Sequence, residues 1–126
     1  MNKSVIFSKN APAPIGPYSQ AVKAGNTLYV SGQIPIIAET EELVSGDIAK
    51  ETGQVMKNIW SILNAAVMDF DNVVKCTIYV TDMEDFQIVN AAYGKYFDND
   101  PPARETVEVA ALPKNVNVEI SCIAVE

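Results

Sequence analysis

PPARETVEVAALPKNVNVEISCIAVE, residues 101–126, reads as two short strands that carry one arginine and one glutamate on a rim otherwise poor in charge. In the first, Val107 and Val109 alternate with Thr106 and Glu108, so a period of two sets Arg104, Thr106 and Glu108 opposite the valines. In the second, Val118, Ile120, Cys122 and Ala124 make the apolar side and leave Asn117, Glu119 and Ser121 opposite. With both apolar sides facing one core, Arg104 and Glu119 are expected to emerge on the same side of a sheet. Arginine offers a planar fork suited to a carboxylate or phosphate, and glutamate can orient or deprotonate water. Without further information such a pair is more often a cross-strand ion pair than a site.

The 126 residues match the size of one domain, expected to span 1–126. Nine basic against sixteen acidic residues give a net charge of -7 and a pI near 4.5, which repels a phosphate backbone. No nucleic-acid partner is expected. No apolar run is long enough for a membrane span, and MNKSVIFSKN lacks the apolar centre of a secretion signal, so the expectation is a soluble, cytoplasmic protein. Cys76 and Cys122 fall at apolar-phase positions of predicted strands, which fits buried, reduced thiols. There is no histidine, so the usual base of serine and cysteine hydrolases and the commonest zinc ligand are both missing. Chemistry falls to carboxylates, arginine, hydroxyls and backbone groups. No metal and no cofactor are expected, and no glycine-rich phosphate cradle is present.

NAPAPIGPYSQ, residues 10–20, holds three prolines and a glycine and is expected to be a shaped loop. Residues 21–33 read as a hairpin turning at Gly25-Asn26, with Leu28 and Val30 on one side and Tyr29, Ser31 and Gln33 on the other. An acidic connection follows from about Ile34 to Gly46. From Asp47, a plausible cap, to about Met68 the apolar residues recur at helical spacing. Val73 to Thr81 alternates as a strand, with Val74, Cys76, Ile78 and Val80 on the apolar side. A second helix begins near Thr81 or Asp82 and carries the stripe Phe86, Val89, Tyr93 and Phe97. Asn90 lies within that stripe, where an amide needs a partner or lines a site. The order predicts an α+β domain, two helices covering one face of a mixed five- to six-stranded sheet. The other face, with Tyr29, Ser31, Gln33, Lys75, Thr77, Tyr79, Arg104 and Glu119, is expected to meet water or another subunit.

NAPAPIGPYSQAV, YVSGQIP, VVKCTIYVTDMEDFQIVNAAY and PPARETVEVAALP followed by VEI together resemble the Rid family, also called the YjgF family, over nearly the whole chain. The resemblance implies a chorismate-mutase-like α+β fold and a homotrimer with clefts between neighbouring subunits. It also implies hydrolysis of reactive 2-imino acids, such as 2-iminobutanoate and 2-iminopropanoate, to 2-oxo acids and ammonia. The family's cleft positions fall on Tyr18, Ser31, Asn90, Arg104, Thr106 and Glu119. Arg104 is expected to grip the substrate carboxylate, Glu119 to hold the attacking water, and Tyr18 to close one wall. Thr106 stands where some members have cysteine, Glu105 where the family favours a small residue, and Ser121 where many relatives carry a second glutamate. The competing expectation is a trimer that binds a 2-oxo acid or other small metabolite without turning it over. An endoribonuclease or translation inhibitor, activities attributed to some relatives, fits the charge less well.

Overall fold

The computed structural model describes residues 2–126. The order is β1 (Lys3–Ile6), β2 (Ala21–Ala24), β3 (Thr27–Gln33), α1 (Ile48–Ala65), β4 (Val73–Val80), α2 (Phe86–Gly94), β5 (Ala103–Glu108) and β6 (Val118–Val125). The six strands form one sheet in the order β1-β2-β3-β6-β4-β5. All neighbours are antiparallel except β4 and β5, which α2 connects in parallel. This is the expected α+β architecture with a six-stranded mixed sheet.

The β2–β3 turn uses Gly25 at φ 60°, a left-handed conformation that costs glycine little. At the start of α1 the Asp47 side chain accepts the Lys50 N–H at 3.1 Å, satisfying one of the unpaired donors of the first turn. The far end of α1 closes by a Schellman motif, with Val67 N–H donating to the Asn64 carbonyl and Met68 N–H to Leu63, both at 2.9 Å. Val67 occupies the left-handed position at φ 59° and is 94% exposed, a β-branched residue where glycine is favoured. Val67→Gly is therefore expected to stabilise the chain by about 1 kcal/mol, read as a higher urea midpoint at unchanged slope.

Between the helices and the sheet lies the core. Val55, Met56, Ile59, Ile62 and Leu63 of α1 lie against Leu28 and Val30 of β3, Cys76 and Ile78 of β4, and Ile120 and Cys122 of β6. Both cysteines are free and buried. The opposite face is uncovered, and Tyr29 is 51% and Val107 41% exposed on it.

Two bulges shift the side-chain phase from strict alternation. On β3 the register slips between Val30 and Gln33, so Gln33 pairs with Ile120 and is buried, instead of joining the open face. On β4 the slip lies between Val73 and Lys75; Val73 takes the core position and Val74 is exposed.

The larger correction concerns β5. Its register against β4 pairs Cys76 with Arg104, Ile78 with Thr106 and Tyr79 with Val107. Neighbours in register share a face, so Arg104 and Thr106 point to the helix side and Val107 to the open side. In β6, Glu119 pairs with Tyr79 on the open side. Arg104 and Glu119 of one chain thus lie on opposite faces of the sheet. The expectation failed because the valines of this edge strand do not face the core, while a long arginine can reach along the flank of α2 and keep its head group accessible.

Candidate active site

The first cluster forms where α2 crosses β5. Phe86, Asn90 and Tyr93 are spaced by four and three residues, which stacks them on one helix face. The preceding turn is fixed by Asp82, whose carboxylate accepts the Glu84 N–H at 2.9 Å, and by Glu108, which accepts the Met83 N–H at 2.7 Å. The Arg104 guanidinium carbon lies 5.2 Å from the Tyr93 ring centroid and 5.7 Å from that of Phe86. Cation–π contact of this kind holds the head group without consuming its hydrogen-bond donors.

Ion pairs among the described residues join Lys23 to Glu126 and Lys75 to Glu105, each at 3.0 Å, and none involves Arg104. Glu105 points to the open face, where it also accepts from the Thr77 hydroxyl, so it does not compete for the arginine. Around Arg104, Asn90 Oδ1 and Thr106 Oγ1 are buried with no hydrogen-bond partner, while the buried Tyr93 hydroxyl lies against the Cys76 thiol. A buried polar atom without a partner costs about 1–3 kcal/mol, so two beside an unpaired cation mark a place suited to a polar ligand. The sequence left Asn90 between structural partner and site wall; its unpaired oxygen favours the wall. The Cys76 thiol beneath is pushed up in pKa by burial, which keeps it protonated and unreactive.

The second cluster lies on the open face. Tyr18, Ser31, Gly32 and Glu119, with Ile15 and Pro113, line a cleft of about 380 Å³. Its loop is anchored by Gln20, whose buried amide accepts the Ser8 N–H at 2.7 Å and donates to the carbonyls of Ser8 at 3.0 Å, Ala11 at 3.3 Å and Pro12 at 2.9 Å. Ser31 ties strand to loop, donating through its hydroxyl to the Ser19 carbonyl at 2.6 Å and through its N–H to Gln20 at 2.9 Å. The Tyr18 hydroxyl accepts the Ile15 N–H at 3.1 Å, which sets its ring as a wall of the cleft. Glu119 is half-buried, and burial pushes its carboxyl above the usual pKa, as a proton acceptor working near neutrality requires.

Of the six residues expected in the site, Asn90, Arg104 and Thr106 gather on the helix side, and Tyr18, Ser31 and Glu119 on the open side. Phe86, Tyr93, Gly32 and Pro113 went unassigned in the sequence, the first two because their spacing marks them equally as core. A cleft of about 400 Å³ across the 12–15 loop, flanked by Lys9, Glu41 and Lys114, is slightly larger but is lined by none of the six residues expected in the site. No group of three or more cysteine, aspartate or glutamate residues among the described residues is placed to hold a metal ion. No helix among them is long and apolar enough to cross a membrane.

An unpaired arginine thus lies on an aromatic platform on one face of the sheet, and a carboxyl of raised pKa lies in a separate cleft on the other. Comparison with known proteins gives the family. The family model described as Endoribonuclease L-PSP matches residues 8–126. The mouse protein named 2-iminobutanoate/2-iminopropanoate deaminase is 48% identical over 98% of this chain and 92% of its own. A crystal structure of a Rid-family protein of unknown function from Yersinia pestis superposes with a TM-score of 0.96 at 51% identity, covering 98% of this chain and 99% of the other. TdcF from E. coli, solved with bound serine, has a TM-score of 0.94 at 36% identity and covers 98% of each chain. The chain belongs to the Rid (YjgF) family.

Proposed function

We propose that this protein is a hydrolytic deaminase that converts 2-imino acids, with 2-iminobutanoate and 2-iminopropanoate as the type substrates, to 2-oxo acids and ammonia. The observation that carries the reading is Arg104 without an acidic partner, beside the unpaired buried oxygens of Asn90 and Thr106. Its two half-sites meet when protomers associate through their open faces as a homotrimer. The Arg104 cluster of one chain then closes over the Glu119 cleft of the next, and each site draws on two subunits. The exposed apolar surface around Tyr29 and Val107 supports that association.

Within the joint cleft Arg104 holds the substrate carboxylate through its paired N–H donors, which fixes the adjacent imine carbon. A protonated imine is strongly electrophilic. Glu119 accepts a proton from water as the water oxygen bonds to that carbon and the C=N π electrons move to nitrogen, giving a carbinolamine. Return of the proton to nitrogen makes it a leaving group; the hydroxyl oxygen's electrons form the C=O bond as the C–N bond breaks, the regenerated Glu119 carboxylate takes the hydroxyl proton, and ammonia and the 2-oxo acid are released. Every step uses groups present in the chain. TdcF with serine supports an amino-acid-like ligand whose carboxylate an arginine can grip. The net charge of -7 and the lack of histidine weigh against RNA as substrate.

The test generates 2-iminobutanoate with a threonine dehydratase and follows 2-oxobutanoate formation, with assembly measured by light scattering. Acceleration by a trimeric protein is the expected result. Calorimetric binding of 2-oxobutanoate without acceleration would replace the hydrolase with a metabolite-binding protein, and a stable monomer would remove the shared cleft.

A further inference from the structure

At its cleft end β3 departs from strict pairing with β6. Val30 pairs with Cys122 and Gln33 with Ile120, so three steps along β3 match two along β6 and leave Ser31 and Gly32 inside a bulge. Unbroken alternation would turn position 32 to the core and position 33 to the open face; the extra residue reverses both. A β carbon built on Gly32 would lie 2.3 Å from Glu119 Oε2, 2.7 Å from Cδ and 3.1 Å from Cγ. The Glu119 side chain therefore lies along the bare backbone of Gly32 over three successive atoms. No other glycine of the chain has its missing side chain replaced so closely by another residue. Gly32 is not among the glycines of positive φ, so space rather than backbone freedom sets the requirement.

We propose that Gly32, turned toward the cleft by the bulge, is a positioning residue that seats the Glu119 carboxylate; the proposal rests on the hydrolase reading above. A glutamate on an open sheet face samples several rotamers, whereas delivering water to one face of an imine needs its oxygens held in place. The seat removes rotamers by contact along the chain and shields one side of the carboxyl from solvent, in keeping with its raised pKa. Ser31 fixes the seat itself, since its hydroxyl and N–H bind the bulge to the carbonyls of Ser19 and Gln20. Arg104 of the same chain lies on the other face of the sheet, away from position 32.

Gly32→Ala tests this, because alanine strains no backbone there but drives Glu119 off its seat. The expected result is a kcat lower by about 100-fold, the order of loss for a misplaced catalytic group. KM and calorimetric binding of 2-oxobutanoate stay unchanged, and the acid limb of the kcat profile moves toward the ordinary glutamate range. Because Gly32 acts only through Glu119, Gly32→Ala adds nothing in a Glu119→Gln background. Wild-type kcat in Gly32→Ala, or an equal further loss in the double variant, overturns the proposal; the latter would mean that the new methyl obstructs substrate directly. A second measurement uses the wild-type protein: a nuclear Overhauser contact between the Glu119 γ protons and the Gly32 α protons is expected, and its absence overturns the seat even where the alanine variant fails to fold. A wild-type protein that does not turn over imines sinks the hydrolase reading, and that contact alone then decides whether the seat exists.

Discussion

Arg104→Ala is expected to lower kcat/KM for 2-iminobutanoate by about 1,000-fold. Two charge-assisted hydrogen bonds to the substrate carboxylate, at about 2 kcal/mol each, amount to three orders of magnitude in rate. The loss falls on binding and on turnover, because the same grip sets the distance between the imine carbon and the water. Calorimetric binding of 2-oxobutanoate should disappear in parallel. Folding should survive, since Arg104 makes no ion pair and its removal forfeits only stacking on Phe86 and Tyr93. Arg104→Lys should recover little, because an ammonium has no fork to match a carboxylate. Wild-type kinetics in either variant would move substrate recognition away from α2 and β5.

Glu119→Gln is expected to lower kcat by roughly 100- to 10,000-fold, the usual contribution of a positioned base, with little change in KM because the carboxylate grip lies elsewhere. The pH dependence follows from the raised pKa of Glu119. Catalysis needs the ionised form, so activity falls as pH drops through a value above the ordinary glutamate figure of about 4.3. Stability runs the other way. A carboxyl whose folded pKa exceeds its unfolded one stabilises the fold most below the unfolded value, and that contribution is lost as pH rises through the folded value. The Gln variant carries no such term, so its stability relative to the wild type should increase from mildly acidic to neutral pH. Urea titrations of both proteins at the two pH values check this; a gap that stays constant would mean that Glu119 titrates normally.

The succession of elements was legible because hairpin, cap and helical spacing are local signals: Gly25-Asn26, Asp47 and the α1 stripe each lie where the sequence reading places them. The faces were not. Alternation divides a strand into two sides without saying which is buried, and in β5 the choice is made by register against Cys76 and Ile78. The bulges at Val30–Gln33 and Val73–Lys75 shift phase by one residue and leave no mark in composition, so Gln33 and Val74 were read on the wrong sides. In the candidate site, Arg104 and Glu119 stand out by chemistry alone. Asn90 stands out as an amide in an apolar stripe, where the sequence leaves it between structural partner and site wall, whereas Tyr18, Ser31 and Thr106 came from family resemblance, since a loop tyrosine, a strand serine and a strand threonine have commoner roles. Phe86 and Tyr93 were hidden in plain view as core aromatics.

The separation of Arg104 and Glu119 by the thickness of a sheet has a genetic consequence. In the proposed closed ring every chain lends its guanidinium to one neighbour and its carboxyl to the other, so a single lesion damages one cleft and spares the next. Chains lacking Arg104 and chains lacking Glu119, each inert alone, should complement when refolded together. With equal amounts and random assortment, about one junction in four recovers both groups. A mixture no more active than its separate components would show that the two residues do not serve a common site.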